Sequence, residues 1–88
     1  MDLWIRSQDK GLHQIIGINE PHIQSDCVVL IGYNQYKHIE LGVYSTKERA
    51  LEVLDEIQSI IDSGDNSYYS KEDDAYITFY GAYKMPKE

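Results

Sequence analysis

The chain is poor in the residues that build specialised chemistry. Cys27 is the only cysteine among 88 residues, so no intrachain disulfide can form and no C-x-x-C pair exists. Its place beside the apolar run Val28–Ile31 predicts a buried, inert thiol. Basic residues are scarce: eight Lys and Arg stand against fifteen Asp and Glu, a net charge of −7 and a pI near 4.7. A general DNA or RNA binder needs a basic face, as does a protein held on an anionic membrane, so neither class fits. A small phosphorylated ligand needs only one or two cations and stays open. No apolar run approaches 18 residues, and Met1 leads straight into strand-like sequence with no charged n-region and apolar h-region. The expectation is a soluble, cytoplasmic protein.

Catalytic signatures are missing too. There is no G-x-S-x-G, no Walker loop and no G-x-G-x-x-G, and the six glycines are scattered. His13, His22 and His38 lie nine and sixteen residues apart, without the short spacing of a metal site. With no nucleophile–base constellation in view, the expectation is a protein that is not an enzyme and uses no cofactor and no metal.

What is present describes a fold. The 42% apolar and 26% charged fractions are those of a globular chain, and its length suits one domain, 1–88. A chain of this size buries about 60–65% of its unfolded surface, so its core is thin. Ser45 to Gly64 reads as one amphipathic helix. Ser45 and Glu48 form an S-x-x-E capping box. Ala50, Val53, Leu54, Ile57, Ile60 and Ile61 recur at helical spacing, Leu51 widens the stripe, and Gly64 is placed for a left-handed C-terminal residue. The remainder reads as strands. Leu3 to Ser7 sets Leu3 and Ile5 on one face and Trp4 and Arg6 on the other. Gln8-Asp9-Lys10-Gly11 is a turn with Gly11 available for positive φ. Leu12 to Ile18 returns with Leu12, Gln14, Ile16 and Ile18 on one side. Asn19 to Asp26 is a loop. Cys27 to Tyr33 is the central strand, apolar throughout. After a turn at Asn34–Lys37, His38 to Tyr44 points Ile39, Leu41 and Val43 inward. Asp65 to Asp74 is an acidic loop, and Ala75 to Lys84 is a fifth strand with aromatic residues on both faces. The fold class is therefore α+β, a small antiparallel or mixed sheet of about five strands with one helix, in the order β-β-β-β-α-β. One helix cannot cover a sheet that is apolar on both sides, which predicts a homo-oligomer.

Three groups of residues could contact a partner. The opening hairpin is dense in functional groups: Trp4 and Arg6 share a face, and Gln8, Asp9 and Lys10 follow in the turn. The ordinary reading is an edge hairpin with a polar turn. The sharper one is an Arg free to pair with phosphate. Eight tyrosines, five of them at Tyr68, Tyr69, Tyr76, Tyr80 and Tyr83, crowd the last quarter. Strand propensity explains Tyr, but Tyr76 and Tyr80 on one face could also stack on a nucleobase. On the helix, Glu48, Glu52, Asp55, Glu56 and Asp62 form the polar side. The like-charge i,i+4 steps Glu48–Glu52–Glu56 each cost a few tenths of a kcal/mol. That is ordinary for a solvated face and tolerable for an acidic docking surface.

Three blocks, Trp4–Lys10 (WIRSQDK), Leu41–Gln58 (LGVYSTKERALEVLDEIQ) and Tyr83–Pro86 (YKMP), resemble a group of small proteins encoded by phages and prophages of Gram-positive bacteria. The blocks cover about a third of the chain. The stretch Leu12–Ile39 carries no part of the resemblance. Members of the group are mostly uncharacterised, so the resemblance implies a setting, phage counter-defence, more than an activity. Two expectations follow. In the first, a homo-oligomer sequesters a small nucleotide-type signalling molecule in pockets at a subunit boundary. Trp4, Arg6, Gln8, Asp9, Lys10, Tyr76 and Tyr80 then supply the contacts, Arg6 and Lys10 to phosphate and a tyrosine to the base. In the second, the acidic helix face (Glu48, Glu52, Asp55, Glu56) and the loop charges Glu72, Asp73 and Asp74 dock on a basic host defence protein or nuclease.

Overall fold

The computed structural model describes residues 3–88. The expected direct entry of Met1 into a strand lies outside them. Among the described residues the architecture is α+β: nine strands, most of them short, and one helix. β1 (Leu3–Arg6) pairs antiparallel with β2 (Leu12–Ile15), Trp4 opposite Gln14 and Arg6 opposite Leu12. β3 (Gly17–Ile18) and β4 (His22–Ile23) both lie along one edge of β5 (Val28–Tyr33), and β6 (His38–Tyr44) lies along its other edge, all antiparallel. The helix α1 (Lys47–Ser63) follows. β7 (Ser67–Ser70) and β8 (Ala75–Thr78) then form a separate hairpin. The last strand, β9 (Tyr83–Lys84), returns to β1 and pairs with it in parallel.

Two backbone links join the first two sheets. Ile16 N–H donates to the Tyr33 carbonyl at 2.9 Å, where the chain turns from β2 into β3. Gln8 N–H donates to the Leu41 carbonyl at 2.9 Å, on the outer edge of β6. The run β1–β2–β3–β5–β6 is thereby closed back on the turn that follows β1. Ile5, Ile15, Val28, Leu30, Ile39, Leu41 and Tyr44 fill its interior with Ala50, Val53, Ile57 and Ile60 of the helix, and Tyr83 and Met85 complete the core.

The helix begins one residue later than its capping box predicts. Thr46, not Ser45, is the N-cap, with extended backbone and a hydroxyl that accepts from Arg49 N–H at 3.1 Å. Gly64 ends it at φ 71°, the left-handed conformation glycine adopts without a Cβ penalty. Leu51 and Ile61 are exposed rather than buried, and Glu56 takes a place in the buried stripe instead.

Several strand expectations are corrected. In β2 it is Ile15 that is buried, while Leu12 and Ile16 are half-exposed; pairing Leu3 with Ile15 and Ile5 with His13 sets the opposite face inward. In β6, Val43 is exposed and Tyr44 buried. The pairing jumps from Leu30–Gly42 to Ile31–Glu40, so Leu41 is an extra residue, and this bulge inverts the alternation after it. The predicted loops Asn19–Asp26 and Asp65–Asp74 contain β4 and β7. The predicted strand Ala75–Lys84 is broken between β8 and β9 by Gly81, whose φ of 79° does not belong to a strand. In the first turn Lys10, not Gly11, carries the positive φ. Cys27 is half-buried, its Sγ donating to Gln24 Oε1 at 3.6 Å, where full burial was expected.

Candidate ligand groove

The parallel pairing of β1 with β9 decides where the cations lie. Arg6 and Lys84 are register partners on adjacent strands, both exposed. Like charges set directly opposite each other on a sheet are unfavourable. Around this pair a groove of about 460 Å3 is lined by Arg6, Ser7, Gln8, Lys10, Lys84, Met85 and Lys87. Four of the chain's eight basic residues meet here, and among the described residues no carboxylate lines it. Among the described residues both ion pairs belong to Arg49, so none of the four cations is neutralised by one.

Local bonds hold the groove in shape. Arg6 Nη1 donates to the Lys10 carbonyl at 3.0 Å, which ties the guanidinium to the turn and leaves its other donors outward. Asp9 is engaged within its own turn: it accepts from Ser7 Oγ and from Gly11 N–H at 3.2 Å. Those bonds, the serine's foremost, hold its carboxyl below the ordinary aspartate value. Gln8 is a bracket. Its Oε1 accepts from Val43 N–H at 2.8 Å, and its Nε2 is shared among the carbonyls of Val43, Pro86 and Lys87 at 3.3, 2.7 and 3.1 Å. Tyr44 Oη adds a bond to the Pro86 carbonyl at 2.8 Å, and Met85 N–H donates to the Arg6 carbonyl at 2.9 Å. Burial pushes the Tyr44 hydroxyl up to about 12, so it stays protonated and keeps donating. The segment that carries Lys84 and Lys87 is thus pinned from β1, from the first turn and from β6.

On the other side of Lys84 lies a second groove, of about 330 Å3, lined by Tyr68, Phe79, Tyr80, Ala82, Tyr83 and Lys84. Three of its rings pack on one another: Tyr68 and Tyr83 edge-on at 5.2 Å, Phe79 and Tyr83 edge-on at 6.1 Å, Tyr68 and Phe79 tilted at 6.1 Å. Tyr83 is 1% exposed and is anchored from below, its Oη donating to Glu56 Oε1 at 2.8 Å. Burial drives the Tyr83 hydroxyl strongly upward. Burial also raises the Glu56 carboxyl, against the bond from Tyr83, which lowers it. Tyr80 stands 92% exposed at the rim.

The residues expected to bind a ligand are therefore divided. Arg6 and Lys10 meet in the cationic groove, with Gln8 in its wall. Tyr80 belongs to the aromatic groove. Tyr76 does not: the strand ends at Thr78, and Tyr76 packs edge-on against Tyr69 at 5.4 Å on the β7–β8 hairpin. Trp4 is half-exposed on the outer face of β1 and lines neither groove. Lys84, Lys87, Tyr68 and Phe79 were not among the expected contacts. Of these only Lys84 lies in one of the blocks, Tyr83–Pro86, which the β1–β9 pairing sets beside Trp4–Lys10; Lys87, Tyr68 and Phe79 lie outside the blocks.

The acidic helix face is smaller than expected. Glu56 is 6% exposed and points to Tyr83. Glu52 is half-buried and pairs with Arg49 at 3.2 Å. Glu48 and Asp55 remain exposed. Among the described residues no three His, Cys, Asp or Glu gather as a metal site would require, and no helix is long and apolar enough to cross a membrane. A scan against protein-family models, a search of curated proteins and a search of solved structures each found no match to this chain.

Proposed function

We propose that this protein binds and sequesters a small nucleotide-type molecule without transforming it. The observation that carries the reading is the junction at Lys84, where a groove with four cations and, among the described residues, no carboxylate adjoins a groove of aromatic rings. Phosphate recognition needs clustered Lys and Arg donors, and a base needs a flat apolar surface with polar edges. In this reading Arg6, Lys10, Lys84 and Lys87 hold phosphate, and the base packs against Tyr68, Phe79 and Tyr80. Gln8 and Asp9 shape the site rather than touch the ligand. The setting implied by the resemblance to phage proteins makes the ligand an immune signal of the bacterial host and the function counter-defence. A homo-oligomer, the grooves near its subunit boundary, completes the reading; Trp4, Leu12 and Ile16 offer exposed apolar surface on the β1–β2 side for such a boundary.

Native mass spectrometry tests this directly, on protein purified from cells with and without nucleotide-signalling defence enzymes. A multimer that carries a discrete small-molecule mass only when those enzymes are present is the expected result. Ligand-free monomer from both cultures overturns it. The competing reading, an acidic inhibitor docking on a basic host protein, has less to stand on, since Glu56 is buried and Glu52 is paired.

A further inference from the structure

Resting on that reading, the charges in the groove narrow the ligand class. We infer that the occupant is the metal-free anion of a mononucleoside polyphosphate. Its chain of phosphates lies along Arg6, Lys10, Lys84 and Lys87, and its single base lies in the groove of Tyr68, Phe79 and Tyr80.

Three observations lead there. The first is charge balance. A lone terminal phosphoryl group carries about −1.5 to −2 at neutral pH, too little for four clustered cations with no carboxylate in their groove. A diphosphate or triphosphate compensates them. Relief of the Arg6–Lys84 register repulsion then adds to the binding energy. The second is the count of aromatic grooves. Among the described residues of one protomer, the aromatic groove that adjoins the cations, at Lys84, is lined by one ring cluster, with room for one base per set of four cations. A cyclic dinucleotide has two bases to place and only two singly charged phosphodiesters.

The third is the nature of the lining. Magnesium takes oxygen ligands and is held at phosphate sites through one or two carboxylates. The described lining of this groove has none, its Gln8 amide is engaged by Val43, Pro86 and Lys87, and the Ser7 hydroxyl is turned to Asp9. Lysine and arginine would therefore compete with magnesium for the same phosphate oxygens, and binding should weaken when the metal is added.

Calorimetric titration of the full chain tests this, with ATP, GTP, AMP, cyclic di-AMP and inorganic triphosphate, each in EDTA and in excess Mg2+, and with folding followed by circular dichroism. ATP or GTP is expected to bind at least roughly tenfold tighter than AMP. Excess Mg2+ should weaken that binding by about tenfold. The double variant Lys84→Gln, Lys87→Gln should lose it, while Lys37→Gln, in the β5–β6 turn outside both grooves, should keep it. AMP or cyclic di-AMP binding as tightly as the triphosphates, or tightening by Mg2+, overturns the polyphosphate assignment and leaves the nucleotide reading standing. Inorganic triphosphate binding as tightly as ATP overturns the placement of the base. A folded protein that binds none of the nucleotides overturns both the inference and the reading beneath it.

Discussion

Arg6 and Arg49 are the only two arginines in the chain, and the molecule uses them in opposite ways. Arg49, on the first turns of the helix, is saturated. It reaches Glu52 at 3.2 Å, Glu72 at 3.4 Å and the main-chain oxygen of Glu88 at 2.7 Å. It thereby ties the helix to the segment before β8 and to the end of the chain. Among the described residues Arg6 has one protein acceptor, the Lys10 carbonyl, and three lysines share its groove. The difference shows which arginine is committed to structure, Arg49, and which carries no ion pair among the described residues, Arg6.

Charge reversal gives the largest effect. Lys84→Glu should lower nucleotide affinity by roughly a hundredfold or more, since a carboxylate would enter the groove and pair with Arg6. Arg49→Glu should leave affinity within about twofold. Calorimetry on both decides whether the two sites are as different as their bonds imply.

The anchor beneath the aromatic groove comes next. Glu56→Leu strands the buried Tyr83 hydroxyl and should cost about 1–3 kcal/mol in urea unfolding. Glu56→Gln keeps an acceptor there and should cost little. Gln8→Ala removes the bracket on residues 86–87 and should cost about 1–2 kcal/mol, with weaker nucleotide binding as Lys84 and Lys87 lose their fixed positions. Unchanged affinity in a folded Gln8→Ala protein would show that the bracket serves stability alone. Arg49→Ala should cost no more than about 1 kcal/mol, because its partner Glu72 is largely exposed and such pairs are screened.

The smallest effect is a pH dependence. Burial raises the Glu56 carboxyl above 4.5 in the folded chain, so the folded state holds that proton more tightly than the unfolded one. Its contribution to stability is complete below the unfolded value and is lost as pH rises through the raised value. Urea midpoints should therefore fall, as pH rises above the ordinary glutamate range, more in the parent than in Glu56→Gln. Asp9 and Asp65 act the other way and lower down. Their depressed values mean that stability is lost only as pH falls below the ordinary aspartate range.

Legibility in the sequence followed the range of the interactions. The helix was readable to within a residue at its start because capping, periodicity and the Gly64 stop are all local. The first strand was readable for the same reason, Ile5 facing in and Arg6 out. Position 56 was misread because helical spacing admits it to either edge of the apolar stripe, and only the arrival of Tyr83 makes burial of a carboxylate acceptable. Tyr76 and Tyr80 were grouped because a strand was expected to run past Gly81. Half of the cationic groove was missed, since Lys84 and Lys87 lie more than seventy residues from Arg6 and nothing local marks them.

By itself, then, the sequence determined the α+β class, the helix with its Gly64 stop and its start to within a residue, the place of the first turn and the surplus of acid, each set by contacts within a few residues or by composition alone. Only the tertiary structure decided that four of the scarce cations share one groove, that Glu56 is turned inward and that the aromatic residues divide between a hairpin surface and a second groove. Those outcomes depend on a parallel pairing between the two ends of the chain and on one extra residue in β6. Both are settled by packing across the core and leave no local mark in the sequence.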